Sequence, residues 1–102
     1  MASNKRDWTA ARAKVEREGE CRQCGSRSEL QAAHIVPRSL GGGQLEDSIV
    51  PLCGSCHRAY DAGRLDLLPA LTRDEQAEAV RVLGLTRALR RISPSENFKR
   101  AA

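Results

Sequence analysis

Large side chains are scarce in this sequence. Among 102 residues there is one Trp, one Tyr, one Phe and one Met, so the anchors available to a core are Trp8, Tyr60, Phe98 and Met1. A chain of this length has room for one domain and a modest core. So small a core commonly needs a metal, disulfides or a partner to hold it. Long apolar runs are also lacking. No stretch approaches the ~18 residues of a membrane span, which excludes a helical membrane protein. Met1 to Trp8 is polar and charged and has no apolar centre of the kind a secretory signal requires. The expected location is therefore intracellular, where thiols bind metal more often than they pair.

Acidic residues are scarce in the C-terminal stretch. Between Arg81 and Ala102, six basic residues (Arg81, Arg87, Arg90, Arg91, Lys99, Arg100) face Glu96 alone, within a chain of net charge +4. Such a stripe suits a polyanion, nucleic acid being the commonest, and suits a solvated helix face equally well.

The expected elements follow from periodicity and punctuation. Asn4 or Asp7 can cap a first helix that runs to about Glu18, with Trp8, Ala11 and Val15 on one side and Gly19 as its stop. Leu30 to Val36 reads as a strand with Leu30, Ala32, His34 and Val36 on one face and Gln31, Ala33 and Ile35 on the other. Pro37 ends it, and Gly41-Gly42-Gly43 makes a flexible loop. Ile49-Val50 reads as a second strand stopped by Pro51. A helix from Cys53 to about Asp61 or Ala62 is closed by Gly63. Thr72 and Glu75 form a capping box for a helix with Ala77, Val80 and Leu83 on its apolar side. After Gly84, Leu85, Ala88, Leu89 and Ile92 repeat at helical spacing until Ser93-Pro94. The last residues form a mobile tail, 93–102.

Four cysteines stand as two Cys-x-x-Cys pairs, Cys21/Cys24 and Cys53/Cys56, with 28 residues between the pairs. Each pair offers two thiolates to one ion, and two pairs complete a tetrahedral shell. Soft sulfur in that geometry favours a structural zinc, with iron as the usual competitor. Two disulfides or a redox-active pair compete with this reading. The first fits a reducing compartment badly, and the second needs no twin. Four sulfurs leave no open position, so this ion staples the two loops and does no chemistry. Function is expected in or beside the bracketed segment, where the chain's two histidines lie.

Cys21-x-x-Cys24, then Ala33-His34-Ile-Val-Pro37-Arg-Ser-Leu-Gly41-Gly42, then Ile49-Val-Pro-Leu-Cys53-x-x-Cys56-His57, resembles the zinc-bearing HNH (ββα-metal) endonucleases. The likeness spans residues 21 to 61. The stretch from Arg64 to Arg91 is more faintly similar to the tails of small phage-encoded HNH proteins. In that family a β-hairpin and a helix grip one divalent ion against a scissile phosphate. The resemblance implies that His34 is the general base for the attacking water and that His57 ligates a catalytic Mg²⁺, Mn²⁺, Ni²⁺ or Zn²⁺. A neutral imidazole can take that proton, and a divalent cation offsets charge on the leaving oxygen.

Two positions depart from the family pattern. The residue before the base, in the family a second metal ligand, is Ala33. The central Asn matches Ser48, whose hydroxyl can supply part of the hydrogen bonding that holds the loop, so the motif reads His-Ser-His. Asp61 lies four residues after His57, on the same helix face, and can serve as the second ligand. The competing reading pairs it with Arg58 or Arg64. Glu46 and Asp47 are further ligand candidates. Arg38 follows the Pro37 turn and is assigned to substrate phosphate, with Arg22, Arg27 and Arg58 as weaker candidates.

The expectation is an α+β protein of one domain: a zinc-stapled ββα core at about 21–62, an N-terminal helix packed through Trp8, and a two-helix extension over 64–92. The resemblance implies a metal-dependent endonuclease hydrolysing DNA, with a phage packaging component as a candidate targeting partner and a bacterial host as the setting. A catalytically degenerate HNH fold that binds DNA or protein is the alternative, kept by Ala33 and Ser48. A zinc-ribbon interaction module would explain the cysteines but not the histidines.

Overall fold

In the computed structural model, residues 8–94 are described. The proposed caps Asn4 and Asp7, the anchor Phe98 and the tail beyond Pro94 lie outside them. The first helix, α1 (Thr9–Glu18), ends at Gly19, whose left-handed backbone (φ 69°) lets its N–H reach Val15 O. Strands β1 (Leu30–His34) and β2 (Ile49–Cys53) form an antiparallel pair. Helix α2 (Gly54–Asp61) follows directly, and α3 (Arg73–Leu83) and α4 (Leu85–Ile92) complete the chain. The architecture is α+β, as expected.

Pro51 does not stop the second strand; it sits in its middle, opposite Ala32. The physical reason lies in the ladder's alternation. Pro51 occupies a non-hydrogen-bonded position, so its missing N–H faces away from β1. Its carbonyl points the same way and accepts from Arg22 N–H at 2.9 Å, which ties the first cysteine loop to the sheet. The first strand, in turn, stops at His34 rather than Val36. Ile35 adds one last bond, donating its N–H to Ser48 O at 3.0 Å, and the chain then turns at Pro37. The glycine loop is not slack here. A Cβ on Gly42 would fall 1.7 Å from Val36 O, so only glycine permits this closure.

The core lies on the Ala33/Ile35 face of the hairpin. Tyr60 from α2, Val50 and Leu52 from β2, Leu67, Leu71, and Ala79, Leu83, Ala88 and Ile92 from the C-terminal helices all join it. The two last helices thus cover the core. Their apolar sides differ from expectation. On α3 the buried residues are Glu75, Ala79 and Leu83 while Ala77 is exposed, and on α4 Leu85 and Leu89 stand 62% and 41% exposed. The Thr72 capping box forms as read, with Glu75 N–H donating to Thr72 Oγ1 and Thr72 N–H to Glu75 Oε1.

The opposite face of the hairpin takes α1. Its inward residues are Ala11 and Lys14, with Val15 only half-buried. A lysine can face inward here because its ammonium is fully engaged. Lys14 Nζ donates to Glu46 O at 2.5 Å, Ile49 O at 2.6 Å and Glu75 Oε2 at 2.5 Å, which uses all three of its protons.

Candidate metal centre and active site

The two cysteine loops converge because each is anchored to the sheet, one through Pro51 and the other as the end of β2. Cys21 and Cys53 are buried, Cys56 is half-buried and Cys24 exposed, and none forms a disulfide. All four sulfurs lie within 4.8 Å of one another, and Cys24 Sγ is 3.7 Å from Cys53 Sγ. That is far beyond a disulfide bond and suits four thiolates around one tetrahedral ion. The local field favours ionised sulfur at Cys21. Burial opposes it, but backbone N–H groups of Cys53, Cys24 and Gln23 outweigh burial and draw the thiol down to about 6. Cys56 is driven the other way, first by burial and then by the neighbouring sulfurs. A bound zinc would relieve that crowding by neutralising the set. The donor chemistry and spacing fit a structural zinc.

Arg22, between the first two cysteines, turns inward. It donates to Glu18 at 2.9 and 2.6 Å, to Glu75 at 2.8 and 3.0 Å, and to Ala70 O at 2.9 Å. This corrects its placement among the phosphate-binding candidates, because its donors are committed to holding the metal loop against α1 and α3. Buried Glu75 is pushed up by desolvation, yet the hydrogen bonds from Arg22, Lys14 and the Thr72 backbone prevail and hold its carboxyl below the ordinary range.

His34 ends β1 on the face toward α1, and the Trp8 ring meets it edge-on with centroids 5.2 Å apart. Its Nε2 is buried and has no hydrogen-bond partner. Desolvation, followed by the charges of Arg38 and His57, lowers its pKa below the usual imidazole value, with Asp61 acting weakly the other way. The ring is therefore neutral at neutral pH. Arg38, exposed on the turn Arg38–Leu40, is near enough for its charge to act on that ring. Ser48 contributes through its backbone. Its carbonyl accepts from Ile35 N–H, and its own N–H donates to Leu45 O at 2.9 Å, which closes the loop beside His34.

His57 lies on α2, with Nδ1 2.6 Å from Gln31 Oε1 of β1. An amide oxygen accepts only, so Nδ1 carries the proton of this bond, which leaves Nε2 as the ring nitrogen turned toward Asp61. That nitrogen sits 3.4 Å from Asp61 Oδ2, one helical turn along. Asp61 pairs with neither Arg58 nor Arg64. Its Oδ1 meets Arg91 Nη2 of α4 at 3.3 Å. Arg91 also lies 4.5 Å over the Tyr60 ring, and the Tyr60 hydroxyl donates to Ile35 O at 2.5 Å. Glu46 is directed elsewhere, to Arg17 at 2.8 Å. Asp47 is exposed on the adjoining turn.

Among the sequence-derived candidates, the fold thus brings His34, Ser48, Arg38, His57 and Asp61 to one end of the hairpin and α2. The sequence reading missed Trp8 as a neighbour of His34, Gln31 as the partner of His57, and Arg91 as the partner of Asp61. Gln31 was visible in principle, since strand alternation puts it on the Ala33 face that α2 covers. Arg91 carried no such signal, because its role depends on how α4 docks.

Residues 21–63 match the family model of the HNH endonucleases. The match contains all four cysteines and both histidines, and it covers less than half of the chain. Comparison with curated proteins and with solved structures gives no match. An HNH segment points to a nuclease or nucleic-acid-binding role. No helix among the described residues is long and apolar enough to cross a membrane.

Proposed function

We propose, proceeding from the HNH match over residues 21–63, that this protein is a metal-dependent endonuclease that hydrolyses DNA phosphodiester bonds. The observation that carries the reading is a neutral imidazole at His34, unpartnered at Nε2, within electrostatic reach of His57 and Asp61, which themselves stand 3.4 Å apart. His34 takes the proton from the attacking water. Trp8 packs edge-on against the ring and limits its rotation. The Ser48–Ile35 backbone bond fixes the turn that follows it. His57 Nε2 and Asp61 Oδ2 are the donors that would hold a catalytic divalent cation, with Gln31 setting the histidine tautomer. Such a cation, when bound, offsets charge building on the phosphate and leaving oxygen. Arg38 binds phosphate beside His34. The zinc held by the cysteines keeps hairpin and helix in register and takes no part in the chemistry.

A degenerate HNH module that binds DNA or a protein is favoured by one specific observation. Ala33, where the family carries a second ligand, is 0% exposed and packed in the core. Supercoiled plasmid separates the readings. Wild type is expected to nick or cut with Mg²⁺, Mn²⁺ or Ni²⁺, and zinc-loaded His34→Ala to lose that activity while keeping its melting curve. Equal cutting by both proteins would remove His34 from the role of base. DNA binding without cutting in any metal would establish the degenerate module.

A further inference from the structure

Beyond the family-matched segment, α4 brings its own cations to the edge of the candidate site. Arg91 pins the end of α4 to Asp61 at 3.3 Å and stacks on Tyr60, so the helix has a defined place beside the His57–Asp61 pair. Arg87 lies four residues earlier on the same helix, hence on the same side as Arg91. It stands one turn, about 6 Å, further from the site. Arg90 lies next to that line. Both are exposed, and neither has a carboxylate partner among the described residues. Three other arginines are neutralised locally, Arg17 by Glu46, Arg22 by Glu18 and Glu75, and Arg81 by Glu78. What sets Arg87 and Arg90 apart from the remaining unpaired arginines is their place on the helix that Arg91 ties to Asp61. Ala88 and Ile92 turn inward and fix the helix on the core, so the face carrying Arg87 is set by packing.

We propose that α4 is a backbone-binding rail of the nuclease, with Arg87 and Arg90 taking phosphates of the DNA strand that leaves the centre and Arg91 holding the rail in register. This rests on the nucleic-acid reading of the HNH segment and adds the residues that grip the substrate outside it. One turn of helix is on the order of the axial rise of two nucleotides on one strand, so successive arginines can meet separate phosphates. Binding here is electrostatic and reads no bases.

The test uses the full zinc-loaded chain carrying His34→Ala, so that a fluorescent DNA duplex is bound rather than cut. Anisotropy titrations from ~50 to ~200 mM NaCl give the affinity and its salt slope. Adding Arg87→Gln and Arg90→Gln is expected to weaken binding about tenfold or more at the low-salt end and to reduce the slope by roughly 2, at about 0.9 per lost contact. Arg87→Lys with Arg90→Lys is expected to keep most of the slope. Arg17→Gln with Arg81→Gln removes the same formal charge from paired arginines and is expected to leave the slope unchanged. Equal losses in the two glutamine doubles, or no loss in either, would overturn the rail while leaving the HNH reading in place. A parent protein with no affinity for DNA would overturn both.

Discussion

Lys14 Nζ lies 2.5 Å from Glu75 Oε2, with their side chains only 3% and 2% exposed. This contact joins α1 to α3 beside Ile49 of β2, and Glu75 continues it to Arg22 in the metal loop at 2.8 Å. A buried charge that loses its partner is costly, about 3–5 kcal/mol for a broken buried pair. Lys14→Ala is therefore expected to cost that amount in urea denaturation of the zinc-loaded protein. Arg17→Ala, which breaks the solvent-facing pair with Glu46, should cost within about 1 kcal/mol. Similar losses for the two variants would show that the buried network contributes no more than the surface pair.

The metal centre should be coupled to the C-terminal helices through the same residues. One zinc per chain is expected by elemental analysis. Cys53→Ser should lose the ion and the cooperative melt together, because the site is a fold constraint. Stripping zinc with a strong chelator should then speed amide exchange in the first turn of α3, where Arg22 and Lys14 hold Glu75. Exchange that rises only around the cysteines would mean that the metal loop and α3 are independent.

Much of this was legible in the sequence because it is written locally. The Cys-x-x-Cys spacing located the metal cluster, the Thr72/Glu75 box located the start of α3, and the His57 to Asp61 interval put both on one side of α2. What escaped depends on contacts between distant segments. Pro51 looked like a strand stop because its ladder position cannot be known before its partner is. Val15 looked like the inward residue because an ammonium is expected outside, and only the three acceptors gathered around Lys14 reverse that. Arg22 looked available for phosphate until Glu75, 53 positions later, claimed it.

Acidity should act on His34 in a defined direction. Desolvation, then the charge of Arg38, lowers its pKa in the fold, so the neutral base persists below the ordinary value of about 6.5. The acid limb of kcat/KM is expected on the acid side of that value. As pH falls past it, the unfolded chain takes up the proton before the folded one, so this residue's contribution to stability also falls with acidity. Arg38→Gln removes a neighbouring cation and should move the acid limb upward, with less movement at high salt. An unmoved limb would mean that the ionisation governing the rate is not that of His34.

Ala33 offers the sharpest test of how far the family pattern extends. It is wholly buried opposite Val50, on the strand face that carries Gln31 toward His57 of α2. Ala33→Asp would place a carboxylate there, and an unpaired buried charge costs several kcal/mol. A divalent ion held by His57 and Asp61 would offset that cost, since a ligand binding only the folded state stabilises it, by about 2.7 kcal/mol at a hundredfold excess over Kd. The variant is therefore expected to melt well below wild type without added ion and to regain much of the loss in Mn²⁺, by more than wild type gains. Plasmid cutting in Mn²⁺ should rise in parallel. A melting temperature that stays low at every Mn²⁺ concentration would mean that position 33 does not reach the ion. The burial of Ala33 would then be a packing requirement of this chain, and its centre would work with the His57–Asp61 pair alone.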